Sequence, residues 1–441
     1  MSEFSESSCT SPVTDEFSER AALIGIYTGV PGDDLVEAEA SLAELASLAA
    51  AAGAKVVLRT LQRRASPEAA TLAGSGKLEE LRLAALEQNA NLLIFDNELS
   101  GSQLRNIEKI TGMKVIDRTL LILDIFARRA QSREGRLQVE LAQQTDRLSR
   151  LTGMGQALSR LGGGIGTRGP GESQLESDRR HILRRIRVLR QELERISERR
   201  DRTRERRRDD SIRSVAIVGY TNAGKSTLMN RLCASDVLVM DQVFATLDPT
   251  ARKIRLPDQQ LVLAVDTVGF IRRLPHGLVD AFRATLEEVT ECDIIVQVID
   301  VADPDAEKHL QVVEDILTEL HAAEKPRILV LNKLDQVGGE PDPTIAALFS
   351  RIRGLSAERT VALSALSGSG VDELLTAISE LARGQPITLQ LVLPFSETGL
   401  IDYIRRFGHI LELHHETDGI HLTVELEQSR IGPLQNFIHL A

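Results

Sequence analysis

The pattern of hydrophobic and polar positions changes several times along the chain. Between residues 21 and 118, short apolar runs alternate with longer stretches rich in Ala, Leu and Glu. Short apolar runs bounded by polar residues predict buried strands, and the longer stretches predict helices. The predicted strands are Leu23–Tyr27, Lys55–Leu61, Leu92–Asp96 and Lys114–Ile116, and the predicted helices are Asp34–Ala52, Lys77–Asn89 and Gly101–Thr111. This alternation predicts a small parallel α/β domain.

The next part of the chain carries a helical pattern instead. Residues 119–161 read as helix and have a rough leucine stripe at Leu137, Leu141, Leu148 and Leu151. After the glycine-rich sequence GGGIGTRGPG (162–171), apolar residues recur at steps of four and three, at Ile182, Ile186, Leu189, Leu193 and Ile196. This heptad spacing is typical of a helix that packs against a partner helix. We therefore expect a helical hairpin with a glycine-rich tip.

A second α/β domain is predicted for residues 212–383, and a smaller domain follows it. The predicted strands of the second domain are Val215–Val218, Leu261–Asp266, Ile294–Asp300, Ile328–Asn332 and Val361–Ser364. The remainder has predicted strands at Thr388–Leu393, near Ile410–His414 and at Gly419–Glu425, with a helix at Gly399–Phe407. The fold class is thus multidomain α/β with a small C-terminal α+β domain. The predicted divisions are a disordered tail (1–20), then 21–118, 119–210, 211–384 and 385–441.

Composition narrows the class of protein without naming it. A chain of 441 residues with 42% hydrophobic residues is expected to form several domains. We find no uninterrupted apolar run of about 18 residues, which argues against a membrane span. The polar, acidic first 20 residues lack the pattern of a signal peptide. The three widely spaced cysteines fit a reducing compartment, so we expect a cytoplasmic protein. We also expect a monomer.

Positive charge is concentrated in one segment of a chain whose net charge is −11. Residues 179–208 hold fourteen arginines against five acidic residues. One interpretation is a solvated helix face with Glu–Arg pairs one turn apart. The other, which we favour because of the charge excess, is contact with a polyanion such as RNA.

A phosphate-binding loop is predicted where strand Val215–Val218 ends. The sequence GYTNAGKS matches GxxxxGK[ST] and lies between a strand and a helix, as its mechanism requires. Backbone N–H groups would surround the phosphates, Lys225 would bridge the β- and γ-phosphates, and the Ser226 hydroxyl would bind Mg²⁺. The candidate residues are Gly219, Tyr220, Thr221, Asn222, Ala223, Gly224, Lys225, Ser226 and Thr227.

Two further motifs predict contacts to the γ-phosphate and its metal. The sequence DTVG (266–269) ends a strand 40 residues after Ser226. Asp266 would hold Mg²⁺ through water, and the Gly269 N–H would contact the γ-phosphate. Between these motifs a switch threonine is expected to reach Mg²⁺ in the triphosphate state. Thr246 is our candidate, and Thr250 is the alternative. Lys225, Thr246 and Gly269 are the candidate catalytic residues.

The last motifs predict which base is bound. Asn332, Lys333 and Asp335 belong to the sequence NKLD, which closes a predicted strand. The Asp335 carboxylate would accept hydrogen bonds from N1–H and the exocyclic amine of guanine, and adenine offers no such donor pair. Lys333 would lie along the base, Asn332 would brace the P-loop, and Ser364, Ala365 and Leu366 would supply an N–H to guanine O6. The four motifs in this order predict a GTP-hydrolysing P-loop enzyme.

These motifs, together with GSGKLEEL (74–81), FATLDPT (244–250) and the basic segment after GGGIGTRGPGE, resemble the HflX family of translation-factor-related GTPases, close to the Obg proteins. The resemblance covers nearly everything from about residue 21 onward. It implies an N-terminal HflX domain, binding to the large ribosomal subunit near its peptidyl-transferase region, and splitting of stalled ribosomes after stress. The RNA contacts would then include Ile165, Thr167, Arg168, Arg179, Arg180 and Arg184.

Phe270 departs from the Ras-like pattern, in which a glutamine at this position orients the attacking water. HflX enzymes share this hydrophobic residue. A phenyl ring cannot polarise water, so we expect slow intrinsic hydrolysis, on the order of 10⁻⁴–10⁻³ s⁻¹, accelerated by the ribosome. Asn222 resembles an asparagine that binds K⁺ in related GTPases, although hydrogen bonding within the loop is the favoured alternative.

The sequence is also compatible with other functions. GSGK (74–77) reads as a turn that opens a helix, with N-terminal ATP binding as the lesser alternative. The rival functions are a ribosome-assembly or RNA-remodelling GTPase and a regulatory switch with peripheral membrane association.

Overall fold

The computed structural model describes residues 19–159, 170–209, 212–233, 250–272, 286–337, 357–382, 386–397, 399–416, 419–427 and 431–438. These residues belong to two compact units, one formed mainly before residue 197 and the other mainly after it. Within the described parts, no helix is both long and apolar enough to cross a lipid bilayer.

The first unit contains a four-stranded parallel sheet with the order β2-β1-β3-β4. Its elements are β1 (Arg20–Tyr27), α1 (Leu35–Ala51), β2 (Lys55–Arg63), α2 (Ser75–Glu87), β3 (Leu92–Phe95), α3 (Gly101–Thr111) and β4 (Lys114–Asp117). Ala21 to Ile26 of β1 are mostly fully buried, as in a strand covered on both faces. The predicted parallel α/β fold is confirmed.

Local hydrogen bonds explain why α3 has the predicted bounds. Ser100 and Gln103 form a reciprocal capping box at its start, and Gly112 ends it in the left-handed conformation at φ 68°. Both signals are local, so they are visible in the sequence. β1, by contrast, begins three residues before its predicted start, at Arg20.

The helical part of the first unit contains a break that the sequence pattern did not reveal. Instead of one helix over 119–161, the structure has α4 (Arg118–Arg129) and α5 (Arg133–Ser159). Ala130 takes an extended conformation between them. α4 is mostly buried, and it contacts α1, β3 and β4 of the α/β part as well as α5.

The predicted hairpin is formed by α5 and α6 (Pro170–Asp209). Leu137 and Leu141 of α5 pack with Ile186 and Leu189 of α6 in one buried cluster. The Arg185 guanidinium donates two hydrogen bonds to Glu140 of α5, both 2.6 Å long. The predicted glycine-rich tip lies outside the described residues at 160–169.

Arg150 attaches α5 to the end of the parallel sheet. Its guanidinium contacts Asp117 at 2.8 Å and Asp146 at 2.7 Å. Gly101 comes so close that a Cβ there would lie 2.5 Å from the Arg150 carbonyl oxygen. A side chain at position 101 would therefore push α5 away from α3.

The second unit contains a six-stranded sheet with the order β10-β9-β8-β5-β7-β6. Its elements are β5 (Ser214–Gly219), α7 (Lys225–Leu232), β6 (Thr250–Arg255), β7 (Leu261–Asp266), β8 (Ile294–Asp300), α8 (Ala306–Glu319), β9 (Arg327–Asn332), β10 (Arg359–Ala362) and α9 (Val371–Ala382). β6 pairs antiparallel with β7, and the other pairs are parallel. β6 was not predicted, because this mostly exposed edge strand has no apolar run. β10 begins two residues before its predicted start, Val361.

The C-terminal part is a three-stranded antiparallel sheet with the order β11-β13-β12. The elements are β11 (Pro386–Leu393), α10 (Gly399–Phe407), β12 (Gly408–Glu416) and β13 (Gly419–Glu427). Ile404 of α10 and Leu434 complete an apolar cluster with alternate residues of β11 and β13. This confirms the predicted small α+β domain.

Candidate functional site

The four predicted nucleotide motifs lie at one edge of the six-stranded sheet. β5 ends at Gly219, β7 at Asp266 and β9 at Asn332, and Ser364 follows β10 by two residues. These strands run parallel, so their carboxyl ends meet at the same edge. Open α/β sheets bind ligands at this edge.

The P-loop path depends on its glycines. Gly224 has φ 91° and immediately precedes α7, which begins at Lys225 and includes Ser226 and Thr227 in its first turn. A Cβ at Gly224 would lie 2.2 Å from the Asn332 side-chain nitrogen, and one at Gly219 would lie 2.4 Å from the Val298 carbonyl oxygen. No other residue type fits either position without moving its neighbours.

Lys225 is buried inside this loop, with only 6% of its surface exposed. Its Nζ donates a 2.7 Å hydrogen bond to the carbonyl oxygen of Tyr220. Burial lowers the pKa of Lys225 to about 8, while the Asp266 carboxylate acts in the opposite direction. An anion entering the loop would favour the charged ammonium form.

Ser226 and Asp266 are brought together as the sequence predicted. The Ser226 hydroxyl donates to Asp266 Oδ2 over 2.8 Å. A hydroxyl and a carboxylate are hard oxygen ligands of the kind that Mg²⁺ prefers, so this pair fits a magnesium site. Elsewhere in the described residues, no group of three or more His, Cys, Asp or Glu side chains is placed to hold a metal ion.

Of the two candidate switch threonines, one belongs to the described residues. Thr246, our sequence-based candidate, lies outside the described residues. Thr250, the alternative, is the first residue of β6 and pairs in register with Asp266 of β7.

The DTVG loop lies directly against the P-loop. A Cβ at Gly269 would be 2.8 Å from Thr221 Cα and 3.0 Å from Lys225 Nζ. The Phe270 N–H donates to Gly219 O over 3.1 Å, and Thr221 N–H donates to Phe270 O over 2.8 Å. Phe270 itself is only 6% exposed. The residue at the water-positioning place is therefore a buried phenyl ring.

Asn332 connects the P-loop with the loop after β10. Its Nδ2 donates to the Ala223 carbonyl over 2.8 Å, and its Oδ1 accepts the Ala365 N–H over 2.9 Å. It is only 2% exposed, so both hydrogen bonds are shielded from water. The first contact is the bracing that the sequence predicted, and the second was not predicted.

The loops that are predicted to recognise the base meet at Asp335. Its Oδ1 accepts a 2.5 Å hydrogen bond from the Ser364 hydroxyl, while the residue as a whole is exposed. Leu366 is 71% exposed. Lys333 has a left-handed backbone, at φ 67°, and its ammonium lies 2.7 Å from Asp300.

Sequence reasoning missed two residues that hold these loops. Asp300 pairs with Lys333, and the signal for it was an acid at the carboxyl end of a predicted strand beside the NKLD strand. Arg231 of α7 donates to the carbonyl oxygens of Ala365 and Leu366. Nothing in the local sequence distinguishes Arg231 from a solvent-facing helical arginine.

The predicted RNA contacts are described only in part. Arg179, Arg180 and Arg184 are exposed on α6. Ile165, Thr167 and Arg168 lie outside the described residues.

Four family models match most of the chain between residues 39 and 436. The matches are "GTP-binding GTPase N-terminal" (39–127), "GTP-binding GTPase Middle Region" (129–207), "50S ribosome-binding GTPase" (214–333) and "HflX C-terminal domain" (347–436). GTPase HflX of Caldanaerobacter subterraneus subsp. tengcongensis is 46% identical, with 95% of this chain and 94% of the relative covered. The chain belongs to the HflX GTPase family. GTPase HflX of Escherichia coli K12 is 40% identical over 91% of this chain and 92% of its own length.

These matches confirm the family and the enzyme class that were predicted from the motifs. This chain is a GTPase, and its nucleotide domain is of the ribosome-binding class. A solved structure of a GTP-binding protein from Sulfolobus solfataricus in complex with GDP is also similar. It is 26% identical, covers 82% of this chain and 98% of its own, and has a TM-score of 0.46.

Proposed function

We propose that this HflX-family GTPase binds the large ribosomal subunit in its GTP form and splits stalled ribosomes during stress, in the cytoplasm and as a monomer. The observation that carries the proposal is the convergence of four nucleotide motifs at one sheet edge in a chain that also has an exposed arginine face on α6. GTP would control the affinity for ribosomal RNA, and hydrolysis would release the factor. We place the domain divisions at 21–118, 119–210, 211–384 and 385–441.

The nucleotide would be held by groups with distinct tasks. The P-loop residues 219–227 would surround the phosphates, and Lys225 would balance charge on the β- and γ-phosphates. Asp335 would accept from guanine, supported by Ser364 at 2.5 Å, with Lys333 along the base and Ala365 and Leu366 beside O6.

The metal would be held by Ser226 directly and by Asp266 through water, with Thr246 joining in the triphosphate state. When bound, Mg²⁺ would neutralise negative charge on the phosphate oxygens. The Gly269 N–H would contact the γ-phosphate. A Cβ on Gly269 would lie 3.0 Å from Lys225 Nζ, so the two loops approach each other closely at this residue.

The buried Phe270 ring supports slow intrinsic hydrolysis. It has no polar atom with which to orient water, so the rate without a partner should be on the order of 10⁻⁴–10⁻³ s⁻¹. Single-turnover hydrolysis with and without 50S subunits tests this proposal. A fast rate that ribosomes leave unchanged would contradict it.

Asn222 offers a place to test a monovalent cation. Its backbone is left-handed, at φ 62°, which asparagine tolerates well and which fits a local role in the loop. We propose K⁺ binding only as a secondary feature of the site. Equal hydrolysis rates in KCl and NaCl would rule it out.

The arginine face of α6 supports contact with RNA. Arg180 and Arg184 are exposed and lie on the side of the helix away from the apolar stripe that packs on α5. Contacts between arginine and phosphate release counterions, so they weaken steeply with salt.

Sedimentation with ribosomal subunits, in a GTP analogue and in GDP, tests the partner. The R180A/R184A variant should bind more weakly, and its log–log salt slope should fall by about one for each lost phosphate contact. The matched control is R82A/R359A, which removes the same charge from half-buried Arg82 and exposed Arg359, arginines that pair with Glu79 and Glu380. Equal binding by R180A/R184A and R82A/R359A would contradict the proposed RNA contact.

Light scattering by intact ribosomes then separates splitting from binding. A fall in scattering that needs GTP supports splitting. Binding without any fall would favour an assembly or RNA-remodelling role, and no binding in either nucleotide state would favour a membrane-associated switch.

A further inference from the structure

The aromatic side chain of the P-loop rests on a histidine from outside the nucleotide motifs. The Tyr220 ring stacks on the imidazole of His309, with ring centroids 3.7 Å apart and planes inclined by 9°. Tyr220 is only 6% exposed. His309 belongs to the first turn of α8, which none of the four motifs includes.

A carboxylate in the turn before α8 lies beside the imidazole. His309 Nδ1 lies 3.4 Å from Asp303 Oδ2. The other Asp303 oxygen accepts the Asp305 N–H over 2.9 Å, and the Asp305 carbonyl accepts the His309 N–H over 3.0 Å. The Asp303 carboxylate therefore lies within reach of the ring, in a turn that is held by hydrogen bonds of its own backbone.

The backbone around Tyr220 is the point where three parts of the nucleotide site meet. Its carbonyl accepts from Lys225 Nζ at 2.7 Å. The residues on either side of it, Gly219 and Thr221, exchange two hydrogen bonds with Phe270 of the DTVG loop. A shift of Tyr220 would therefore disturb the phosphate-binding lysine and the contact between the two loops together.

We propose that His309 is a positioning residue for the phosphate loop. By stacking on Tyr220 it keeps the P-loop backbone in the conformation that receives phosphates, and it thereby slows the release of guanine nucleotide. This inference rests on the proposed nucleotide site and adds to it a residue that no P-loop motif contains. A stacked aromatic pair is strong enough to change a dissociation rate about three- to tenfold.

The test compares two substitutions of His309 in the full-length protein. His309→Phe keeps a flat ring against Tyr220, whereas His309→Leu supplies apolar volume without a flat face. The measurement is the release of a fluorescent GDP after addition of excess unlabelled GDP. H309L should release it about three- to tenfold faster than wild type, and H309F should stay within about twofold. Equal rates for H309L and H309F, whether both fast or both unchanged, would overturn the proposal.

Two further measurements separate positioning from general stability. The melting temperatures of nucleotide-free H309L and H309F should agree within a few degrees, because both keep an apolar side chain against Tyr220 and a lost stack shifts melting only slightly. The double variant Y220L/H309L should release nucleotide no faster than the faster single variant, since both remove the same stack. Additive effects would contradict the proposal. If wild type fails to bind the fluorescent GDP, the proposed nucleotide site itself is wrong.

Discussion

A methyl group at Gly224 would lie 2.2 Å from the side-chain nitrogen of Asn332. The glycine of the phosphate loop and the asparagine of the base loop are therefore fitted to each other. Gly224 also has φ 91°, which is strained for any residue with a Cβ.

This fit predicts a coupling between two substitutions. Gly224→Ala should weaken GDP binding by roughly 10- to 100-fold, because it adds both a steric clash and about 1–3 kcal/mol of backbone strain. Asn332→Ala alone should cost at least about 10-fold through its two buried hydrogen bonds. In the N332A background, G224A should cost less, since the clash is gone and only the strain remains. Isothermal titration with GDP measures all four proteins, and strict additivity would show that the two positions are independent.

Asp335 provides a test of base recognition. Asp335→Asn should lower GTP affinity at least about 100-fold, because the amide cannot accept from both guanine donors. It should raise affinity for xanthosine triphosphate, whose 2-oxo group can accept from the new amide. Competition binding with both nucleotides measures the ratio. The matched control is Asp300→Asn, which alters the Lys333 contact and should weaken both nucleotides alike. An unchanged preference in D335N would exclude Asp335 as the base-reading residue.

The buried Lys225 predicts a pH dependence of nucleotide affinity. Its pKa of about 8 means that the free protein loses the ammonium charge as pH rises through that value. Bound phosphates favour the charged form, so binding above pH 8 requires proton uptake. GDP affinity should be nearly constant from pH 7 to 7.5 and should then fall toward tenfold per pH unit.

Lys225→Arg gives the control for this dependence. A guanidinium stays charged throughout this pH range, so K225R should bind GDP more weakly but without the loss above pH 8. A wild-type affinity that stays flat to pH 9 would show that Lys225 keeps its charge in the free protein.

A buried ion pair in the first unit predicts a stability effect far from the nucleotide. Arg118 and Asp96 are only 2% and 4% exposed at their side chains and lie 2.7 Å apart. Arg118→Met should destabilise the sheet by about 3–5 kcal/mol, because it removes the cation beside a buried carboxylate. Native-state hydrogen exchange at β1 and β3 measures the loss.

Two variants control this measurement. Arg128→Met breaks an exposed pair with Asp124 and should cost under about 1 kcal/mol. The double variant R118M/D96N should recover part of the loss. If R118M and R128M prove equally stable, burial of the Arg118–Asp96 pair has no energetic consequence.

Features with a local cause could be predicted from the sequence. The Gly112 stop of α3 and the glycines of the P-loop are set by the backbone conformation of single residues. The order of the motifs placed them at strand ends, and parallel strands bring those ends together.

Features that depend on distant neighbours could not be predicted. The helix break at Ala130 has no glycine or proline to mark it, and β6 is an edge strand whose residues are mostly exposed and polar. Arg231 and His309 acquire their contacts only when α7 and α8 pack beside the loops. Such residues are invisible to motif reasoning because their partners lie far away in sequence.

The Arg150 contact with Asp117 has a mechanical consequence for the hairpin. Arg150 lies nine residues before Ser159, where α5 ends, so about 14 Å of the helix extends beyond this ion pair. The described part of α5 beyond Arg150 is thus short and is anchored to the sheet at its base. A force on this part of the helix would act on Asp117. The Asp117 carboxylate also caps α4 and accepts the Leu99 N–H. A force on this part of α5 is therefore transmitted to the edge of the parallel sheet.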